Sequence, residues 1–600
     1  MHALVAVVGA SPGVVDGIAR RHRAAGSAVE VRLGSGAASA LIAVGDRAPT
    51  LASWDAAAGP VAAFGSSVEH LDLAELRRQV ERAEAGGRIS EAASDLVAVA
   101  VRDDGSATVL SGAGFHRWHR RRLPDGGWVV SSHLATAVLA SSPASVDRSL
   151  EDFLLGFGFL PDGRTPFEGV DVLPPSTRWR IGEGSHEALQ VDPPETEPAE
   201  RTGSKLLDLL LDAVDRRAAG RDHHAVLLGG FDSALVCALL RRLGKGVTAF
   251  TFDVGDERLN QGNVDLVRRS LDLEHVWIPI TPERMRAAFE GLTDRINAPG
   301  AQPHYQLHTV LGSEDVRERG FPLVFTGDGC DAVFLGYPTV NRRSRLTRSL
   351  RRLPSVASGA ALRLLGVPAV ERRLGHVARV GRSALRAARL PWPAAGHLPT
   401  QYLDAISLGR LRVDSPPEQS EAVETVRLRL AKGLDELDPT RLAFFGNAAT
   451  GASRIKVDGA LMHTGVAQYT PFNDGALRRH VQELPVSALR PEKSRFGTMG
   501  KEVLVEEVLA HDLLPREIVL QPKASPSTSP IDAWYMNELR PTVLRSLEGL
   551  PFRLNRRYVE EILREKTIEN WYRERVALSP HALQAIGLLV SYAAFASLSR

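Results

Sequence analysis

The 600-residue sequence predicts two architectures in succession, a β-rich N-terminal region and an α/β region built on a doubly wound parallel sheet. Three observations carry this expectation. Short apolar runs broken by turn residues crowd the first 180 positions or so. From residue 205 onward, strand-like apolar runs alternate with helix-length segments, the pattern of a parallel sheet with crossover helices. Between the two lies the acidic, proline-rich stretch 192–204 (Asp-Pro-Pro-Glu-Thr-Glu-Pro-Ala-Glu-Arg-Thr-Gly-Ser), which reads as a linker. The expected divisions are therefore 1–191, a linker at 192–204, and 205–600.

Taken in order, Ala3–Val8 reads as a strand. Val97–Val101 and Thr108–Leu110 flank Asp103-Asp104-Gly105, a hairpin signal, and Trp118–Arg122 and Trp128–Ser131 flank Pro124-Asp125-Gly126-Gly127, a second one. A helix is expected near Ser145–Phe157, then the phrases Thr165-Pro166-Phe167-Glu168-Gly169-Val170 and Leu173-Pro174-Pro175. Beyond the linker, Leu206–Arg217 predicts a helix, Ala225–Leu228 a buried strand, and Ser233–Arg242 a second helix. Strands follow at Val247–Phe252, His275–Ile280 and Leu323–Thr326, with helices at Val264–Leu271 and within Pro282–Leu292. Ala582–Leu598 is apolar but shorter than the ~20 residues that span a bilayer, and it contains Gln584, so it reads as a buried core helix.

Composition excludes several classes. An apolar share of 44% and a charged share of 24% suit a water-soluble globular chain, and a net charge of +2 singles out no nucleic-acid partner. Cys237 and Cys330 are the only cysteines; they lack metal-ligand spacing and fit a reducing compartment. With no basic segment ahead of the apolar start, no signal peptide is read, and a cytoplasmic location without a membrane span is expected.

The chemistry concentrates on two loops. Leu227-Leu228-Gly229-Gly230-Phe231-Asp232-Ser233 joins a strand to a helix N-terminus, where free N–H groups and the helix dipole favour a phosphate. Asp232 would repel that phosphate unless a divalent cation lay between them. The second loop is Thr326-Gly327-Asp328-Gly329-Cys330-Asp331, followed by Phe334-Leu335-Gly336-Tyr337; two acids three residues apart can face one cavity. Ligands of open α/β sheets lie at the carboxyl ends of the strands, so the backbone at Thr251–Phe252 is an expected adenine neighbour. Residues 342–389 hold thirteen arginines and one acid, Glu371; they read either as a helical excursion with a solvated basic face or as a docking surface for an acidic peptide or protein.

These blocks resemble the asparagine synthetase superfamily, whose pyrophosphate loop is written Ser-Gly-Gly-x-Asp-Ser. The second loop resembles its Ser-Gly-Glu-Gly-x-Asp-Glu-x-Phe-x-Gly-Tyr block. A third block, from Arg454 to Lys523, carries Asp458, Met462, Gly465-Val466, Pro471-Phe472, Asp474, Leu484-Pro485, Gly500-Lys501, Leu513-Leu514-Pro515 and Gln521-Pro522-Lys523. The resemblance implies ATP and Mg²⁺ as cofactors, Asp232 and Asp331 as metal ligands, Asp328 near the attacking amine, and Lys523 at pyrophosphate and the reacting carbonyl. It also implies that the N-terminal region is a glutaminase-like αββα sandwich. That domain normally begins with a cysteine nucleophile; His2 stands there, and no cysteine precedes Cys237, so glutamine is not the expected nitrogen source. The first loop also departs from the family, with Leu228 in place of serine.

Within the superfamily, the length, the arginine-rich excursion, Phe231-Asp232-Ser233-Ala234 and the 165–170 phrase look most like a lasso peptide cyclase. Such an enzyme adenylates an Asp or Glu side chain of a short precursor peptide and closes a macrolactam with its α-amine, alongside a leader peptidase and a leader-recognition protein. Alternatives are a β-lactam or carbapenam synthetase, an ammonia-dependent asparagine synthetase, or a relative that only binds and presents a peptide.

Overall fold

In the computed structural model the described residues are 3–33, 39–44, 54–55, 59–64, 73–89, 97–102, 106–112, 116–158, 160, 163–174, 176–181, 187–188, 201–255, 257–300, 303–336, 346, 349–374, 376–389, 403, 405–413, 458–460, 463–491, 493–496, 500–521, 534–535, 537–563 and 580–600. The expected mixture of α/β and α+β architecture is present: two antiparallel sheets precede one parallel sheet.

Period-two alternation builds the N-terminal part. One six-stranded sheet runs in the order Val170–Val172, His119–Arg122, Trp128–Ser131, Ala3–Val8, Ser39–Val44, Val29–Leu33. Along Ala3–Val8, Leu4, Ala6 and Val8 face the second sheet, whereas Ala3, Val5 and Val7 pack with Val14, Val15 and Ile18 of helix Pro12–Ala24. The second sheet runs Glu187–Ala188, Thr177–Arg180, Ala107–Ser111, Val97–Val101, Gly59–Phe64, Trp54–Asp55. It turns Val97, Val99 and Val101 inward, and covers Ala98 and Ala100 with Leu76, Val80 and Ala83 of helix Leu73–Glu84. The result is an αββα sandwich. Trp118 is fully buried and its indole N–H donates to the Leu110 carbonyl at 3.1 Å, tying one sheet to the other.

Two expectations need adjustment here. The helix expected at 145–157 is a 3-10 turn, Arg148–Leu150, capped by Asp147, followed by helix Glu151–Phe157. Val146 bridges antiparallel to Phe167, which keeps the preceding residues extended. The Asp103–Gly105 turn lies outside the described residues, although the strands beside it pair as a hairpin, Val101 opposite Ala107.

The third sheet is wholly parallel, in the order Glu274–Pro279, Gly246–Asp253, His223–Leu227, Leu323–Phe325, Ala467–Tyr469. From His223–Leu227 the chain steps outward twice on one side, then crosses to Leu323–Phe325 on the other. Strand order therefore reverses between His223–Leu227 and Leu323–Phe325, and a crevice opens at such a switch point. The first of these strands begins earlier than expected, because His223 and His224 pair with Gly246 and Val247. Helix Phe231–Arg242 also starts two residues early. The apolar C-terminal helix is Pro580–Ala596, with Ile586, Leu588, Leu589 and Phe595 fully buried in a core shared with Leu134 and Leu154 of the N-terminal region. No helix among the described residues is long and apolar enough to cross a membrane.

The arginine-rich excursion forms helices Ser355–Leu365, Pro368–Leu374 and His376–Arg389. Its arginines are not all on a solvated face. Arg382 is fully buried and its guanidinium donates to the Leu365 carbonyl at 2.6 Å, joining the last of these helices to the first.

Candidate active site

The two loops expected to carry chemistry follow the two strands that flank the switch point, so the fold alone brings them together. They touch through Gly327. A Cβ on that residue would lie 2.7 Å from the Ser233 amide nitrogen and 2.8 Å from the Asp232 Cβ, so only glycine allows the second loop to lie against the start of helix Phe231–Arg242.

On the first loop, Gly229 and Gly230 are exposed and have nothing within 4 Å of where a Cβ would sit, which leaves room for a ligand to approach the backbone. Their N–H groups donate to the Ser233 hydroxyl at 2.9 and 3.2 Å, and that hydroxyl donates to the Gly230 carbonyl at 3.0 Å. The loop is thus folded onto its own serine, and an incoming phosphate would replace Ser233 as acceptor for these two donors. Leu228 points into the core at 4% exposure, so its side chain is a packing element of the loop. Leu227 is half-buried and packs into the core on the opposite face of the sheet.

Thr251 and Phe252 differ from each other. The Thr251 hydroxyl donates to the Leu228 carbonyl at 3.0 Å and lies 3.0 Å from His275 Nε2, so this buried side chain braces the sheet. Phe252 is half-buried, stacks against His308 at 5.8 Å and lies over Gly312, at the strand end that opens on the crevice.

Asp232 and Asp331 converge on one point. Nζ of Lys501 lies 2.5 Å from Asp232 Oδ1 and 2.6 Å from Asp331 Oδ1, and 5.7 Å from the Phe231 ring centre. Lys501 is held there by its backbone: its N–H donates to the Phe334 carbonyl at 2.8 Å, its carbonyl accepts from Val505 at 2.8 Å, and it takes a left-handed φ of 61° at the start of helix Glu502–Ala510. The stem passes over Gly336, where any side chain would collide with Lys501 Cε and Asp331 Oδ1. Burial works against a charged lysine, but Asp232 and Asp331 outweigh it and hold the ammonium well above its usual range. Cys330, buried behind the pair, is pushed up by burial and by the Asp232 charge, so it stays a thiol.

Two carboxylates already gathered around one cation, with hard oxygen donors and glycine-lined loops, fit a magnesium ion. Asp328 is half-buried on the same loop; its N–H lies 3.4 Å from the Thr326 hydroxyl, and its carbonyl accepts from the Thr470 hydroxyl at 2.7 Å, which anchors the loop to the edge strand Ala467–Tyr469. Asp474 caps helix Gly475–Glu483, accepting from Ala476 and Leu477 at 3.0 and 3.1 Å, and pairs with Arg216 at 2.5 Å. It is structural. Asp458 lies apart, in a joint with the N-terminal sandwich. Lys523 and Met462 lie outside the described residues, as does Tyr337.

Lys501 is the residue that sequence reading left without a role. The signal was the Gly500-Lys501 pair, since a glycine ahead of a lysine at a helix start permits a close backbone approach.

A search of curated proteins finds no match to this chain. Residues 205–589 match the Asparagine synthase family, a span that holds the whole parallel sheet, both aspartates and Lys501. With more than half of its length matched, the chain belongs to the asparagine synthase family of ATP-dependent amide ligases.

Proposed function

We propose that this chain is a lasso peptide cyclase, an ATP-dependent macrolactam synthetase acting on a short precursor peptide. The observation that carries the ligase chemistry is the convergence of Asp232 and Asp331 on one cation position at the switch point. The choice within the family rests on sequence: the excursion at 342–389, Phe231-Asp232-Ser233-Ala234, and the 165–170 phrase.

The reaction has two halves. A peptide Asp or Glu carboxylate oxygen attacks the α-phosphorus of ATP, and the bond to pyrophosphate breaks. The peptide's α-amine then attacks the activated carbonyl, loses a proton, and AMP departs. Mg²⁺ held by Asp232 and Asp331 would offset negative charge on the phosphates. Lys501 would turn its ammonium from the two carboxylates to the same phosphates, and Gly229 and Gly230 would donate their N–H groups to them. The expected adenine neighbour is the backbone at Thr251–Phe252, with Thr326 and Gly327 on the other wall. Asp328 would orient the amine and accept its proton; an α-amine has an ordinary pKa of about 7.7–8.0, so this task is modest at neutral pH. Lys523 is assigned to pyrophosphate and the attacked carbonyl by the family's motif order. A leader peptidase and a leader-recognition protein are the expected pathway partners.

The test is direct. Candidate peptides with an internal Asp or Glu are incubated with the protein, ATP and Mg²⁺, and pyrophosphate release is followed together with peptide mass. Loss of one water per pyrophosphate supports the cyclase reading. Asparagine formed from aspartate and ammonia, or pyrophosphate release without any change in peptide mass, would refute it.

A further inference from the structure

We propose that the outward face of helix Ser355–Leu365 is a docking surface for an acidic amphipathic helix of a partner protein. This helix is apolar on two sides, and among the described residues only one is covered. Toward helix His376–Arg389 it turns Ser358, which is buried, together with the half-buried Leu362 and Leu365, and Arg382 clamps the Leu365 carbonyl from across the contact. On the other side Val356 is 84% exposed and Leu364 59%, with the exposed Ala360 between them. Positions 356, 360 and 364 repeat at i, i+4 and i+8 and so form one stripe, about 12 Å long over two helical turns. Leu353 at 44% and Val367 at 42%, just before and just after the helix, extend it.

The rim of this stripe is basic. Arg352 adjoins Leu353, Arg363 adjoins Leu364 and sits seven residues from Val356, and both are exposed. Glu371 is the one acid in the sequence from 342 to 389. An apolar stripe with anchors at helical spacing matches a helix-in-groove or helix-on-helix partner, and the rim charge asks for carboxylates on that partner. A second copy of this chain would set arginine against arginine. An anionic membrane surface would meet the same basic rim, but no Trp, Tyr or Phe occurs from 342 to 389 to deepen the anchor, and a helical partner is the better match to the spacing. The surface uses no residue of the Asp232–Asp331–Lys501 cluster, so it stands whichever substrate the ligase takes.

The experiment uses the full chain and a fluorescently labelled synthetic helix of about 25 residues, well beyond the ~12–15 below which isolated helices are marginal, with leucines at i, i+4 and i+8 flanked by glutamates and circular dichroism confirming its helicity. A permuted isomer of identical composition, with scattered leucines, is the comparison. Fluorescence anisotropy should show saturable binding at least about tenfold tighter for the helix than for its isomer. Val356→Asp with Leu364→Asp should weaken that binding by at least about tenfold, and Arg352→Glu with Arg363→Glu should weaken it severalfold, both with unchanged melting temperatures. Equal binding of helix and isomer, or undiminished binding by the Val356→Asp/Leu364→Asp variant, overturns the proposal. So does a wild-type dimer that this variant dissolves, which would assign the face to self-association. Co-sedimentation with phosphatidylserine vesicles that the variant abolishes would assign it to a membrane and overturn the proposal equally.

Discussion

Two clusters of carboxylates withdrawn from water are satisfied in opposite ways. Asp458 is 2% exposed and accepts from the side-chain amide of Asn297 at 2.6 Å, with His116 Nδ1 at 3.3 Å. Asn297 spends its remaining capacity on the N-terminal sandwich, donating to the Ser132 carbonyl at 2.6 Å and accepting from Leu134 N–H at 2.7 Å. Its hydrogen-bond partners Asn297 and His116 belong to the joint itself, and the Arg117 guanidinium adds its charge nearby. Asp232 and Asp331 are instead held by a lysine ammonium on a long stem, at a crevice where a divalent ion could take its place. The first cluster is a joint between two parts of the fold. The second, on the proposed function, is an exchangeable cation site. Burial of an acid therefore says little about function until its partner is known to be fixed or displaceable.

The comparison breaks first at the exchangeable site. Asp232→Asn or Asp331→Asn should lower ATP-dependent pyrophosphate release by about 10³-fold or more, with little change in melting temperature; near wild-type turnover in both would remove these residues from the metal site. Lys501→Met should cost about 10²-fold, the scale of a lost transition-state donor. It should also make thermal stability more dependent on Mg²⁺, because two carboxylates then face each other with no ammonium between them. A melting curve of the variant indifferent to Mg²⁺ would show that no ion replaces the lysine.

The joint should behave the other way. Asp458→Ala leaves Asn297 and His116 with unmet donors and should destabilise the chain by about 1–3 kcal/mol, while turnover measured well below the transition stays close to wild type. A large loss of activity without loss of stability would move Asp458 into the active site.

Acid should act on both parts of the fold. Burial pushes His119 down to about 4 and His22 down to about 3 in the sandwich, and His224 down to about 4 and His308 down to about 3 in the later region, against an ordinary value of 6.5. All four are neutral when folded and would charge when unfolded, so the unfolded chain binds more protons below 6.5. Stability conferred by these groups is present above that pH and falls as pH drops toward their folded values, by about 1.4 kcal/mol per pH unit per imidazole. Melting temperature measured from pH 7 to pH 5 should fall, and His119→Gln should flatten the slope; an unchanged slope would show that His119 does not titrate on unfolding.

Much of this was legible from residues alone. Ala3–Val8, Val97–Val101 and Trp128–Ser131 form strands at the expected boundaries, since alternation or continuous burial of β-branched residues sets them locally. Strand–helix alternation likewise foretold the parallel sheet. What stayed hidden depends on contacts distant in sequence. Val146 pairs with Phe167, which shortened a helix that looked continuous. Ser233 turned back on Gly229 and Gly230, using two donors that the motif suggested were open. Lys501 reaches Asp232 across 269 positions, and no local pattern announces such a partner. The opposite fates of Val356 and Leu364, exposed, and of Arg382, buried, were equally unreadable, because an arginine-rich composition does not say which side chain will be covered.

The C-terminal helix Pro580–Ala596 has a bearing on the order in which the molecule can be completed during synthesis. Leu134 and Leu154, made early, share their hydrophobic cluster with Ile586, Leu589 and Phe595, and Glu151 accepts from the Tyr592 hydroxyl at 3.0 Å. The Gly300 N–H likewise waits for the Ser591 hydroxyl, 2.9 Å away in the finished fold. At about 5–20 residues per second, a ribosome needs roughly 20–90 s to travel from the first of these partners to the last. Throughout that interval one flank of the sandwich, and the helices beside it, present bare hydrocarbon to water or to a chaperone. A stretch translated about 450 residues later is thus the closing stone for Leu134, Glu151 and Leu154.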